Sequence, residues 1–387
     1  MIGSERRIFV THVGSLPRPA TLRDLLVRQD RGHAVDAAAL EGEAEAAIRR
    51  VVRKQLEAGV DIGNDGEMPR PGFSTYVAGR MRGFGGESRR RPARDLVEHP
   101  DFEAMLARRR AGAARIGNAP QCVGEIEYAD LGAAARECDL FERVTREQPG
   151  FAERFMTAAS PGVIATILLS AHYDSHERYI AALSREMRKE YALIHSRGLV
   201  LQVDCPDLAM ERARFFQDDS LERFLAMVDL HVDAINQATE GIPADRIRLH
   251  VCWGNYDGPH THDVPLEPLL PHLYRARVGA LSLPLANPRH QHEYKVLRRN
   301  PPPGTMLLLP GVIDSTTNYV EHPEVVAERI ERVASAVGDP ARVLAGADCG
   351  FDTAAGMSGV AEEVVWEKLR ALRAGAALAS ERLGLGR

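Results

Sequence analysis

His250 and Cys252 stand two positions apart in "HVCWGN", directly after the apolar run "RIRL", and Cys349 follows another apolar run in "AGADCGFD". Alternate side chains of a β-strand share a face. If "RIRLHVC" is a strand, the imidazole and the first thiol project to one side, and Cys349 reaches the same rim from a different strand end. One imidazole and two thiolates suit zinc, with bonds of about 2.0–2.3 Å and a fourth position open to substrate. The competing account is a buried strand that contains a histidine and a thiol for packing. A third soft donor at another strand end tips the balance toward a metal.

Ser15 in "THVGSLPRP", Glu67 in "GNDGEMPRPGF" and Asp204 in "LQVDCPDLAM" close comparable runs. Two carboxylates and a hydroxyl near a cation would suit the ammonium group of an amino-acid substrate. Capping of the helices that follow would use the same residues equally well. Two further clusters follow strand ends: His260, His262 and Asp263 in "GPHTHD", and His290, His292 and Glu293 in "ANPRHQHEY". Polar loop packing explains both more simply than a second metal or acid/base site.

The elements that must position these residues alternate short apolar runs with longer amphipathic stretches, the pattern of a parallel β/α protein. Eight segments read as strands: "RIFVTHV", "GVDIGND", "GVIATIL", "GLVLQVD", "RIRLHVC", "VGALSLPL", "TMLLLPGVI" and "RVLAGAD". They predict a (β/α)8, or TIM, barrel over residues 1–387 as a single domain, with the first and last segments adjacent and the active face at the strand C-termini. Ile180, Leu183, Met187, Tyr191 and Ile194 keep one helical face apolar, as do Leu221, Phe224, Leu225, Val228, Val232 and Ile235 behind the cap signal "DDS". Pro323 fits a first helical turn. Residues 82–150 are arginine-rich and too long for a simple connection, so they read as an insertion covering one barrel end. Its arginines suit an acidic substrate, but a solvated or subunit-contact face explains them more readily; a homo-oligomer is compatible with this pattern.

The chain has 387 residues, 44% hydrophobic and 27% charged, with a formal net charge of −5. That balance gives no electrostatic case for nucleic acid or an anionic membrane surface. Five cysteines, an odd number in a long chain, read as reduced thiols rather than a disulfide framework. No apolar run approaches the roughly 20 residues that span a bilayer, and the N-terminus lacks a signal-peptide pattern. The expectation is a cytoplasmic protein.

Six stretches in order, "THVGSLPRP", "NDGEMPRPGF", "LQVDCPDLAM", "HVCWGNYDGPHTHD", "ANPRHQHEY" and "AGADCGFDT", resemble the catalytic C-terminal barrel of the cobalamin-independent methionine synthase family. The likeness is to its short single-barrel branch, which also holds epoxyalkane–coenzyme M transferase. The resemblance implies Zn2+ bound by His250, Cys252 and Cys349, a thiol activated as thiolate, and an alkyl group transferred to it. It also implies that Ser15, Glu67 and Asp204 hold the amino and carboxylate groups of a homocysteine-like thiol.

Two departures bear on the donor. Methionine synthases carry a zinc-ligating glutamate where "LSLPLANPRH" has Pro284. They carry a proton-donating histidine two residues after the aspartate of "GVIDSTTNY", where Asp314 is kept and Thr316 replaces the histidine. A poor amine leaving group then lacks its general acid. Arg289 and His292 are the candidates to orient a substrate or supply that proton, so Asp314 and His292 form the expected catalytic pair. The leading expectation is a zinc-dependent S-methyl- or alkyltransferase with altered donor chemistry. A metal-independent barrel lyase or decarboxylase is the competing enzyme class, and a degenerate binding barrel the non-enzymatic one.

Overall fold

The structure, a computed structural model, describes residues 1–4, 6–114 and 119–386. The strands are β1 (Ile62–Gly63), β2 (Arg82–Gly85), β3 (Gln121–Glu127), β4 (Glu153–Ala159), β5 (Val200–Asp204), β6 (Ile247–His250), β7 (Ala280–Pro284), β8 (Leu307–Ile313) and β9 (Gly346–Ala347). Seven of them form one parallel sheet in the order β1-β4-β5-β6-β7-β8-β9. The segment around Val10 closes the ring: Val10 bridges Ala345 and Thr11 bridges Ile62, both in parallel. The first and last expected strands are therefore neighbours, and the architecture is a (β/α)8 barrel.

The principal helices are α1 (Ala20–Asp30), α2 (Ala37–Glu57), α3 (Arg94–Glu98), α4 (Pro100–Arg110), α5 (Gly132–Glu147) and α6 (Pro161–Ile167). They continue with α7 (His176–Ser196), α8 (Leu221–Ala238), α9 (Leu266–Leu273), α10 (Tyr294–Arg299), α11 (Pro323–Val337) and α12 (Glu362–Arg382). In α7 the stripe from Ile180 to Ile194 is buried, and each such side chain contributes roughly 1.5–3 kcal/mol by leaving water. Ser175 and Ser220 cap α7 and α8 by accepting the Arg178 and Arg223 amides, and Pro323 opens α11. Leu221 sits in the first turn of α8, before its stripe turns inward, and is exposed.

One expected strand is a helix. "GVIATIL" lies largely within α6, where the Ser160 hydroxyl accepts the Val163 amide at 2.9 Å and Pro161 takes the first turn. Every residue of α6 is buried, so no polar face displays the helical period. The strand at that point of the ring is β4, "ERFMTAA", which pairs with both β1 and β5.

β2 and β3 form a separate antiparallel pair, and with α3 and α4 they fill the connection between β1 and α5. Part of the quoted stretch "LARRRAGAARIG" lies outside the described residues. Among the described residues no helix is long and apolar enough to cross a membrane.

Candidate metal centre and its two cavities

His250 ends β6, Cys252 follows it by two, and Cys349 lies two residues beyond β9, all at the C-terminal mouth of the barrel. Their donor atoms lie within 4.8 Å of one another and all three residues are buried. His250 Nε2 is buried without a hydrogen-bond partner, while Nδ1 lies 3.4 Å from the Ser282 hydroxyl. A hydrogen bond from the Cys349 thiol holds Cys252 well below its ordinary pKa against the effect of burial, and His250 adds to this. An unpartnered imidazole nitrogen beside a thiol poised to ionise is the donor chemistry zinc requires. Among the described residues this is the one group of three potential ligands so disposed.

The cluster borders a cavity of about 590 Å³ that also takes Ser15, Glu67 and Asp204. Glu67 Oε1 accepts the Thr157 hydroxyl at 2.9 Å, but its buried Oε2 has no partner. The backbone there is left-handed, with φ of 58° at a non-glycine residue, a conformation that costs about 1–3 kcal/mol and persists where the surroundings enforce it. Asp204 accepts Gln202 Nε2 at 2.7 Å. Burial raises both carboxyls, and for Asp204 the charge of Glu67 raises it further. Two crowded acids with an orphaned oxygen are arranged to receive a cation. Gly14, at φ of 144°, lets the Ser15 loop approach, since a Cβ there would stand 2.8 Å from Glu67 Oε1.

A second cavity, of about 450 Å³, shares Cys252 and Cys349 and extends past Pro284, Asp314 and Thr316. Pro284 ends β7 and presents no ligand atom. Asp314 Oδ1 accepts both the amide and the hydroxyl of Thr316, each at 2.7 Å. Asp348 also lines this cavity; burial pushes its carboxyl up to about 7, with the charge of Asp314 adding to the effect.

No family model matches the chain. A methionine synthase from Sulfolobus acidocaldarius is 25% identical over 342 residues, 88% of this chain and 85% of that protein. Methionine synthases from Thermococcus kodakarensis and Saccharolobus solfataricus are 25% identical over 340 residues and 23% over 379. The first alignment covers 88% of this chain and 85% of its relative, and the second 96% and 95%. The chain is a homologue of methionine synthases. The fold agrees with a B12-independent methionine synthase from a Shewanella species, at a TM-score of 0.72 and 20% identity, covering 98% of this chain and 99% of that one. A putative B12-independent methionine synthase from Listeria monocytogenes superposes at 0.65, with 19% identity and 98% and 99% coverage.

In this chain, His250, Cys252, Cys349, Ser15, Glu67 and Asp204 come together, and Asp314 lies across the cysteines from them. His292 does not join them: it is exposed and lines neither cavity. His290 is buried between Asp263 and Glu293 at 2.9 and 2.8 Å and stacks on Trp253 at 3.9 Å between ring centroids. Burial opposes its charge, but the two carboxylates outweigh burial and raise its pKa. Both nitrogens are thus engaged, and the ring ties loops together. His260 bonds Asp263 at 2.8 Å and His262 bonds Glu98 at 2.6 Å. Loop packing uses all three.

Sequence reasoning missed three buried arginines beneath the site. Arg18 donates to the carbonyls of Asp352 and Glu67, and Arg70 grips Glu137 with two bonds while donating to Thr157. Together they hold the Glu67 turn. Arg248, two residues before His250 and on the same face, donates to Gln202, which carries Asp204. The readable signals were the twin "PRP" motifs, and an arginine at the alternate position of a strand already assigned to the interior.

Proposed function

We propose that this chain is a zinc-dependent alkyltransferase that places a methyl or comparable alkyl group on the sulfur of a thiol. The observation that carries the reading is the histidine–cysteine–cysteine cluster, whose two thiols form a shared wall of both cavities. His250, Cys252 and Cys349 would hold the metal, and bound zinc would supply the Lewis acidity that lets a thiol ionise near neutral pH. Glu67 and Asp204 take the ammonium of the acceptor, with Ser15 beside them, which fixes the sulfur toward the partition. The donor occupies the second cavity. As the sulfur–carbon bond forms, the bond from carbon to the leaving group breaks and the leaving group keeps the electron pair. Residues 1–387 act as one domain in this reading, with 82–150 contributing cover over the larger cavity.

Pro284 and Thr316 shape the donor. Without a glutamate on β7 the metal set is one negative charge poorer, so a thiolate is held more tightly and attacks more weakly. Without an imidazole at 316, a departing amine has no proton source beside Asp314. Both changes favour an electrophile with its own driving force, such as a sulfonium or an epoxide. The test is zinc analysis of purified protein, followed by side-by-side rates to homocysteine and other thiols from sulfonium, epoxide and methyltetrahydrofolate donors. About one zinc per chain and faster turnover with the activated donors are expected. Metal-free protein that is active, or no alkylation of any thiol, overturns the function. Methylfolate turnover near roughly 1 s⁻¹ overturns the donor preference alone.

A further inference from the structure

The larger cavity has two poles. Glu67 and Asp204 make the acidic one beside the cluster, and Arg110, the last residue of α4, and Arg214, beyond β5, stand on another part of its wall. Nearby arginines are already neutralised: Arg90 pairs with buried Glu211, Arg91 with Asp218 at 2.8 Å, and Arg109 with Asp257 at 2.7 Å. Among the described residues neither Arg110 nor Arg214 has a hydrogen-bonded or ion-paired acceptor. The Arg214 guanidinium lies 5.8 Å from the Tyr256 ring centroid. Burial, with repulsion from Arg90 and Arg110, brings it down to about 10, so it stays charged at neutral pH. Two neighbouring, half-buried guanidiniums without a bonded acceptor favour an anion. Asp257 and Glu211, which act on them through space, are each already paired with another arginine. Among the described residues Glu103, which also lines the cavity, makes no ion pair with either. The cavity's 590 Å³ falls among volumes that enclose drug-sized ligands, about 300–1,000 Å³, and so exceeds what a simple amino-thiol fills.

We infer that Arg110 and Arg214 bind an anionic group of the acceptor remote from its sulfur, so that the natural acceptor is an acidic thiol larger than homocysteine. This rests on the thiol-transfer reading above. The carboxylates hold the ligand's cationic part near the metal and the guanidiniums hold its far end, so both charge and length select the substrate.

Calorimetric titration of the zinc-loaded protein tests this with mercaptosuccinate, γ-glutamylcysteine and homocysteinyl-glutamate, each beside its neutral amide analogue. At least one acid should bind about tenfold tighter than its amide, the scale of one charge-assisted bond. Arg110→Gln and Arg214→Gln should each remove most of that advantage while leaving the amides unchanged, and Arg109→Gln, already paired on the surface, should not. Equal binding of every acid and amide, or no response to the arginine substitutions, overturns the inference. So does a rise confined to the donor's KM, which would assign the anion to the donor. Thiol-free norvalyl-glutamate separates the two readings. If it keeps the charge preference and arginine dependence while the sulfur adds nothing, the arginine pole stands and thiol transfer falls.

Discussion

Glu67→Gln separates ligand binding from folding in a single substitution. Its Oε2 is buried without a partner while Oε1 accepts the Thr157 hydroxyl. Glutamine keeps that acceptor and the shape of the turn but removes the charge. A charge-assisted bond to an ammonium is worth about 1.5–3 kcal/mol, so affinity for homocysteine should fall roughly 10- to 150-fold. Thiols without an amino group, such as 3-mercaptopropionate, should bind the variant as well as they bind the parent. Stability should move the other way. Burial raises the Glu67 carboxyl over the opposing pull of Arg70 and Arg18. A raised carboxyl costs nothing below the unfolded value of about 4.3, and the cost grows as pH rises through the folded pKa and then levels. The variant should therefore match the parent near pH 4 and exceed it at pH 8. Calorimetry with both thiols and denaturant melts at the two pH values test this. Equal losses for both thiols, or a less stable variant at pH 8, would show that Glu67 serves only the fold.

Cys252→Ser and Cys349→Ser should each lose most of the zinc while the chain stays folded, because the barrel core is built without the cluster; metal analysis with circular dichroism checks this. Arg70→Met should lower stability by about 1–3 kcal/mol, since it leaves the buried Glu137 carboxylate to Arg80 alone and removes the donor to Thr157, and a denaturant midpoint unchanged within error would refute the role given to Arg70. His292→Ala should leave alkyl transfer and stability unaltered, as it lines neither cavity; a tenfold loss of rate would return it to the mechanism.

Most of the ring was legible because inward strands of a parallel barrel read as short apolar runs and end where polar residues begin. The failure at "GVIATIL" has a physical cause. A helix buried on all sides shows no 3.6-residue stripe, while β4 carries Glu153, Arg154 and Thr157 and so looks unlike a core strand. The signal that decides is local: serine then proline, a cap followed by a first turn. The candidate metal donors were legible as a group because soft ligands at alternate strand positions are rare company. His292 was misplaced because sequence gives a loop's position along the chain but not which way its side chains turn. Arg18, Arg70 and Arg248 were passed over for the opposite reason: composition treats arginine as surface, and neither the "PRP" motifs nor the strand position names the acceptors that let it go inside.

The two cysteines border both cavities, together with Gly254, Asn255 and Tyr256, so the candidate metal centre is part of a partition rather than the floor of a single pocket. If the proposed transfer uses one cavity for the thiol and the other for the donor, each chamber fills and empties on its own side. Acceptor and donor need not queue for one entrance, and no group has to be parked on the protein while one leaves and the other arrives. Initial rates should therefore show a ternary complex formed in either order, with intersecting rather than parallel double-reciprocal lines. Alkylated product should compete with the thiol while leaving access for the donor open.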